Sequence, residues 1–279
     1  MSLPGVQIRG VWTRQDTDPI YSGANPTTSR GPPDEDWPDA TTTGVPAGTT
    51  LTPSGSINTS SNGQVIDSME VTGAIIVNHA NVTISKCKVN AASVFRGILH
   101  NSGDGLAVTD TEVFDAVADG VNSTSGASAT FTRLHIHDCD DNIKRGANTD
   151  LFDSYIHGYI ITGGSHNDGL QISDGSNMIT DGNRIDGPYQ GQTSAMIVKA
   201  DFGLIDNVTI TNNRLSGGAY TLYVRKGTSF ATPTNVTITG NTFEKESFVF
   251  GAFSFDTPTA TWVWNTNVWN DGDPYPSPF

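Results

Sequence analysis

The stretches NVTISKCKV (81–89), NVTITNNRL (207–215) and NVTITGNTF (235–243) are copies of one unit, and they decide how the chain is read. NMITDGNRI (177–185) and WVWNTNVW (262–269) are more worn copies. Reduced to its pattern, the unit is an apolar residue, a small or polar residue three positions on, and an apolar residue two further on. The same pattern fits Ile66/Met69/Val71, Val108/Thr111/Val113, Phe131/Leu134/Ile136 and Leu151/Ser154/Ile156. The closing positions are therefore 71, 89, 113, 136, 156, 185, 215, 243 and 269, at separations of 18 to 30 residues.

Each unit supplies a β-rich strand, a two-residue turn often ending in Asn, and a second short strand. A third strand follows a looser loop: GILH (97–100), DGVN (119–122), DNIKR (141–145), DGLQI (168–172), MIVK (196–199) and LYVRK (222–226). Three strands per repeat at this spacing predict an all-β, single-stranded parallel β-helix of about nine coils around one shared core. Right-handedness follows from the bias of parallel crossovers. Asn suits the tight turn because it tolerates left-handed backbone and can bond the Asn one coil away. A leucine-rich repeat lacks support in the leucine spacing, and a β-sandwich would not repeat its strands so faithfully.

Residues 1–60 do not carry the repeat and, rich in Pro, Gly and Asp, read as an extended N-terminal segment and cap; the β-helix runs over 61–270 and a C-terminal tail over 271–279. The aromatic stretch from Trp262 to Phe279 is placed to close the far end, where an open solenoid would expose strand edges. Cys87 and Cys139 fall two coils apart, roughly 10 Å at ~4.8 Å per strand, which predicts free thiols.

The composition is 35% hydrophobic and 16% charged, with a formal charge of −14, which argues against a nucleic-acid or anionic-membrane partner. No apolar run approaches membrane-spanning length, and MSLPGVQIRG lacks the apolar core of a signal peptide. An exported protein would then use another route or have lost its leader.

Stacking the third strands with Val121, Ile143, Leu170, Val198 and Val224 inward gives an outward column of Asn122, Lys144, Gln171, Lys199 and Arg225. Asp119, Asp141 and Asp168 line the mouths of three successive strands, His166 precedes Asp168, Asp140 adjoins Asp141, and Arg145 and Lys226 end their strands. Five of the 15 Lys and Arg residues thus gather beside an Asp row on one face. Such a groove matches a linear polymer: cations for uronate carboxylates, carboxylates as acid, base or calcium ligands. Asp before Gly or Asn is also a common turn residue, and a Lys–Asp ladder can be plain surface.

A second column, His137, His157 and Asp186, follows the tight-turn strand. Its groups suit a transition metal, but side chains on successive coils point the same way and close a tetrahedral cage poorly. His79, His100 and His135 read as turn or surface residues, and Tyr155, Tyr159 and Tyr189 as packing against loops.

The coil pattern with DDNIK and HNDGLQI resembles the right-handed parallel β-helix, pectate-lyase-like superfamily. PDATTTGVPAGTTLTPSGS (38–56), DSYIHG (153–158), GSHNDGLQ (164–171), SGGAYTLY (216–223) and NVWNDG (267–272) are similar to secreted β-helix proteins of actinobacteria and their phages. The resemblance implies the fold and an extracellular (or phage-virion) carbohydrate context, with a polysaccharide as partner. A monomer is expected, or a trimer if the chain is phage-derived.

On the superfamily's lyase model, Lys144 or Lys199 would take the C5 proton with its pKa lowered by neighbouring cations. Arg225 would hold the uronate carboxylate, with Arg145, Gln171, Lys226 and Asp119 also on the substrate, and Asp141 with Asp168 would bind calcium, the one cofactor expected. On its hydrolase model Asp119, Asp140, Asp141 and His166 follow the order loosely. The arginine-rich, Gly-His-Gly and Arg-Ile-Lys signatures are missing. A β-eliminating lyase on an anionic polysaccharide is the leading expectation, with His166 and Asp168 in the catalytic group. Hydrolysis, epimerisation, or a non-enzymatic glycan-binding or phage-tail module are the alternatives.

Overall fold

In the computed structural model, which describes residues 37–161, 166–188, 193–259 and 261–278, NVTISKCKV takes a form that shows why the unit repeats. Asn81 has φ 56° and Lys86 φ 50°, and the strand Thr83–Ser85 lies between them. Val82, Ile84, Cys87 and Val89 are fully buried, so the alternation places every second residue inside. Two left-handed corners and the loop between strands turn three short strands into one coil.

The described strands form three parallel sheets, and no helix occurs among the described residues. Sheet 1 has ten strands, from Thr52–Ser54 to Val268–Trp269; sheet 2 has nine, from Ile57–Asn58 to Gly251–Phe255; sheet 3 has nine, from Val65–Asp67 to Val263–Asn265. The first strands of sheets 1 and 2 thus begin inside the segment read from the sequence as N-terminal cap.

The closing positions stack in register as Val71–Val89–Val113–Ile136–Ile156–Ile185–Leu215–Phe243, all fully buried. Cys87 and Cys139 are free and buried.

The tight turn divides the role expected of its Asn between two residues. The left-handed position is the one three before the closing residue: Ser68, Lys86, Asp110, Arg133, Asp153, Gly182, Asn212, Gly240 and Thr266 all have φ between 47° and 72°. The next residue carries the ladder. Asn183, Asn213 and Asn241 each donate their backbone N–H and side-chain amide to the Oδ1 of the next Asn, ending on Asn267, at 2.9–3.0 Å. A left-handed corner costs roughly 1–2 kcal/mol. It persists because the corner N–H keeps the ladder running, as from Lys86 to Thr109 O at 3.2 Å and Asn212 to Thr239 O at 3.1 Å.

At the C-terminal end, Tyr275 packs on Phe243, Trp264 and Trp269 with ring centroids 4.5–5.2 Å apart. Residues 1–36 of the expected N-terminal cap lie outside the described residues. The part that is described lies on the flank of the solenoid: Gly44 donates to Arg133 O at 2.9 Å, and Trp37 borders a groove with Arg133, Asp153, Asn212 and Gly240.

Candidate functional site

The Asp row forms on sheet 2. Asp119 pairs in register with Asp141, and the Ile143–Leu170 register carries the row on to Asp168, which pairs with Ser194. These carboxylates are buried at 1–6% exposure, so their partners decide their charge.

Those partners differ steadily along the row. Asp119 accepts from Arg96 Nε at 2.9 Å and Asn122 Nδ2 at 2.7 Å and meets Lys144 Nζ at 3.0 Å. Asp141 meets the same Nζ at 2.8 Å and accepts the Asp168 backbone N–H at 2.7 Å. Among the described residues Asp168 has no cation within ion-pair distance; it accepts from Ser194 Oγ at 2.6 Å and weakly from Gln171 Nε2 at 3.5 Å. Burial first, and the Asp141 charge second, hold the Asp168 carboxyl well above the carboxylate range. Burial also raises Asp141, against the pull of Lys144. Cationic partners gather at the Asp119 end of the row, and burial favours the protonated form at the Asp168 end.

This corrects the expectation for Lys144. Burial pulls its pKa down, but Asp141 and Asp119 outweigh that and hold it above the ordinary lysine value. It is a captive ammonium bridging two coils, the opposite of a base primed by neighbouring cations. A calcium ion does not fit Asp141 and Asp168 either. Asp141 Oδ1 accepts a backbone N–H and its Oδ2 meets Lys144, and Asp168 Oδ1 accepts from Ser194, whereas calcium takes about six to eight oxygens.

The outward column holds over three coils and then slips. Asn122, Lys144 and Gln171 are in register, but Gln171 pairs with Ile197 and Ile197 with Tyr223. Lys199 and Arg225 pair with each other two residues further along, about 6.6 Å away. Each has its own carboxylate, Asp201 at 2.8 Å and Asp256 at 3.4 Å. Lys226 is exposed at the end of its strand, with its backbone N–H on Asp256.

Arg145 is overturned as a substrate residue, because it is fully buried inside the coil. With Ile143 inward, alternation turns Arg145 inward too, and its guanidinium bonds Thr149 O, Ile179 O and the Thr180 hydroxyl. Burial lowers its pKa to about 9. His166 is exposed before the row, 3.4 Å from Thr193 Oγ1, and Ser165 of the same motif lies outside the described residues, as does Tyr189. Asn167 is buried and clips the loop by donating to Asp140 Oδ1 at 2.7 Å.

Three residues of the site escaped the sequence reading: Arg96, Ser194 and Tyr223. Ser194 and Tyr223 enter through the slip, and Arg96 through the coil before the row. Tyr223 packs edge-on against Tyr220 at 5.2 Å, and its hydroxyl is held above the usual value by burial and then by Asp168.

On sheet 1 the expected His137–His157 pairing is present, but Asp186 is engaged elsewhere, by Arg184 at 2.9 Å, Ser216 at 2.9 Å and Tyr155 at 3.2 Å.

A solenoid that gives one strand per coil to each of three parallel sheets is a parallel β-helix. The chain belongs to that family: the model described as "Right handed beta helix region" matches residues 57–268. No curated protein matches the sequence. A similar solved structure is an alginate lyase from Paenibacillus sp. str. FPU-7, 15% identical over 81% of this chain and 80% of that one, with a TM-score of 0.45. A similarity of that size says nothing about reaction or substrate.

Proposed function

We propose that the protein hydrolyses an anionic polysaccharide laid along sheet 2, with Asp168 as proton donor and Asp141 as the partnering carboxylate. The observation that carries this is the change of partners along the row: the Asp168 carboxyl, whose proton is favoured by burial, lies one coil from Asp141, which Lys144 meets at 2.8 Å. Neighbouring strands stand ~4.8 Å apart, close to the ~5–5.5 Å of carboxyl pairs that retain configuration. Asp168 would protonate the leaving oxygen while Asp141 meets the developing positive charge at the sugar ring.

The other outward groups suit a sugar chain. Gln171 offers hydrogen bonds and Tyr223 a ring face on the same column. Lys199, Arg225 and Lys226 lie further along the strands, where they would meet carboxylates of a uronic-acid unit. Elimination would need a base, and Lys144 is pinned as an ammonium.

Incubation with a panel of acidic and neutral polysaccharides, following reducing ends and ultraviolet absorbance together, tests this. The expected result is reducing ends without an unsaturated product, with Asp168→Asn and Asp141→Asn each slower by about 10²–10⁴-fold. An unsaturated product lost in Lys199→Ala would restore the lyase expectation. Binding of a polysaccharide with no product from any polymer would make the protein a glycan-binding module and sink the enzymatic reading.

A further inference from the structure

The outer face of sheet 1 carries a second cluster that the acidic row does not explain. Glu112 pairs in register with His135, and His137 stands two residues beyond His135 on the same strand, His135–Cys139. Alternation turns both imidazoles outward while Ile136 between them is buried. A column along one register would point its groups in parallel, but this set is diagonal. Two neighbours on one strand and one residue from the adjacent coil converge, and one donor atom from each of Glu112, His135 and His137 lies within 4.8 Å of the others.

The arrangement around His137 is that of a prepared metal ligand. Its Nδ1 is 2.8 Å from Asp138 Oδ2, which fixes the ring and leaves Nε2 facing Glu112 Oε1 at 3.2 Å. A carboxylate behind the imidazole is the usual companion of a histidine that ligates through its other nitrogen. His135 Nε2 sits 2.8 Å from His157 Nε2. In that contact one Nε2 donates and the other accepts with its lone pair, so one of the two rings is bare at Nε2 and a metal ion would take the place of the hydrogen bond. Stacking also holds the rings: Phe114 on His137 at 5.3 Å and Tyr155 on His135 at 5.6 Å. Lys88 occupies the other oxygen, Glu112 Oε2, at 3.1 Å and leaves Oε1 turned to the histidines.

We propose that Glu112, His135 and His137 bind one divalent transition-metal ion, of which Zn²⁺ best fits two imidazoles and a carboxylate, on the face of sheet 1. At metal–ligand distances near 2.0–2.2 Å, tetrahedral donors stand about 3.3 Å apart. The His137–Glu112 pair, at 3.2 Å, is already at that spacing, and His135 lies within 4.8 Å of both. Three protein donors leave a fourth position for water or for His157.

The test is titration of the full chain, first stripped by a chelator, with Co²⁺ followed by its visible absorption, and then displacement by Zn²⁺. One equivalent should bind with a tetrahedral-type spectrum. His135→Gln and His137→Gln should each weaken it at least about tenfold, and Asp138→Asn by about 10–100-fold with the stoichiometry kept. His79→Ala and His166→Ala should change nothing. Circular dichroism of each variant separates lost binding from lost folding, and Glu112→Gln supplies a third variant should a histidine variant fail to fold. No bound equivalent in the parent chain, or binding unchanged in the His135, His137 and Glu112 variants, overturns the proposal.

Discussion

Asp168 concentrates the conflict between folding and chemistry at a single residue. The carboxyl is 1% exposed, with no cation in ion-pair distance among the described residues, so ionising it in the folded state is unfavourable. In the unfolded chain it ionises near 3.8; in the folded protein it keeps its proton well above that. The folded state therefore binds the extra proton between those values. The associated stability is full below the unfolded value and is lost as pH rises through the folded one. Asp168→Asn removes the titration, so its melting temperature should exceed that of the parent, by a margin that grows as pH climbs from 4 and shrinks towards acid. A margin independent of pH would contradict a protonated Asp168. Gly169 is tied to the same point. A Cβ there would stand 2.5 Å from Ala195 O and 2.7 Å from Ile185 Cγ2. Gly169→Ala should cost about 1–3 kcal/mol in urea denaturation and lower kcat, because the shift is felt first by Asp168.

At the scale of the element, the tight turn separates strain from satisfaction, and substitutions on its two residues should act in opposite directions. Asn213→Ala removes the acceptor for two buried donors of Asn183 and should cost about 3 kcal/mol in urea denaturation. Thr266 is exposed, β-branched and left-handed at φ 55°. Thr266→Gly should stabilise by about 1 kcal/mol in the same measurement, because only the strain is removed. The turn was visible in the sequence as a small or polar position three residues after an apolar one. Which of its residues bends was not, because NN in NVTITNNRL supplies Asn at both places.

Over the whole molecule each coil touches only its neighbours, so the ends should loosen before the middle. Tyr275 plugs the last coils against Phe243, Trp264 and Trp269. Tyr275→Ala should cost about 2 kcal/mol locally. In hydrogen exchange, amides of 234–269 should lose protection while those of 83–156 keep theirs. A uniform loss would mean that the solenoid unfolds as one cooperative unit.

Read alone, the sequence determined the coil, its three strands, the stacked apolar columns and the position of the Asp row, because alternation and recurrence are one-dimensional properties. Arg145 was legible too, two residues after the inward Ile143, and was misjudged by its charge. Only the tertiary structure decided that Lys199 and Arg225 stand two residues away from the Lys144–Gln171 column. A slip of one residue turns a strand's faces over and shows in the pattern, but a slip of two preserves every inward and outward position. The charges were likewise out of reach. Whether a carboxyl keeps its proton depends on which coil brings a cation to it, and Lys144 serves Asp119 and Asp141 but stops short of Asp168.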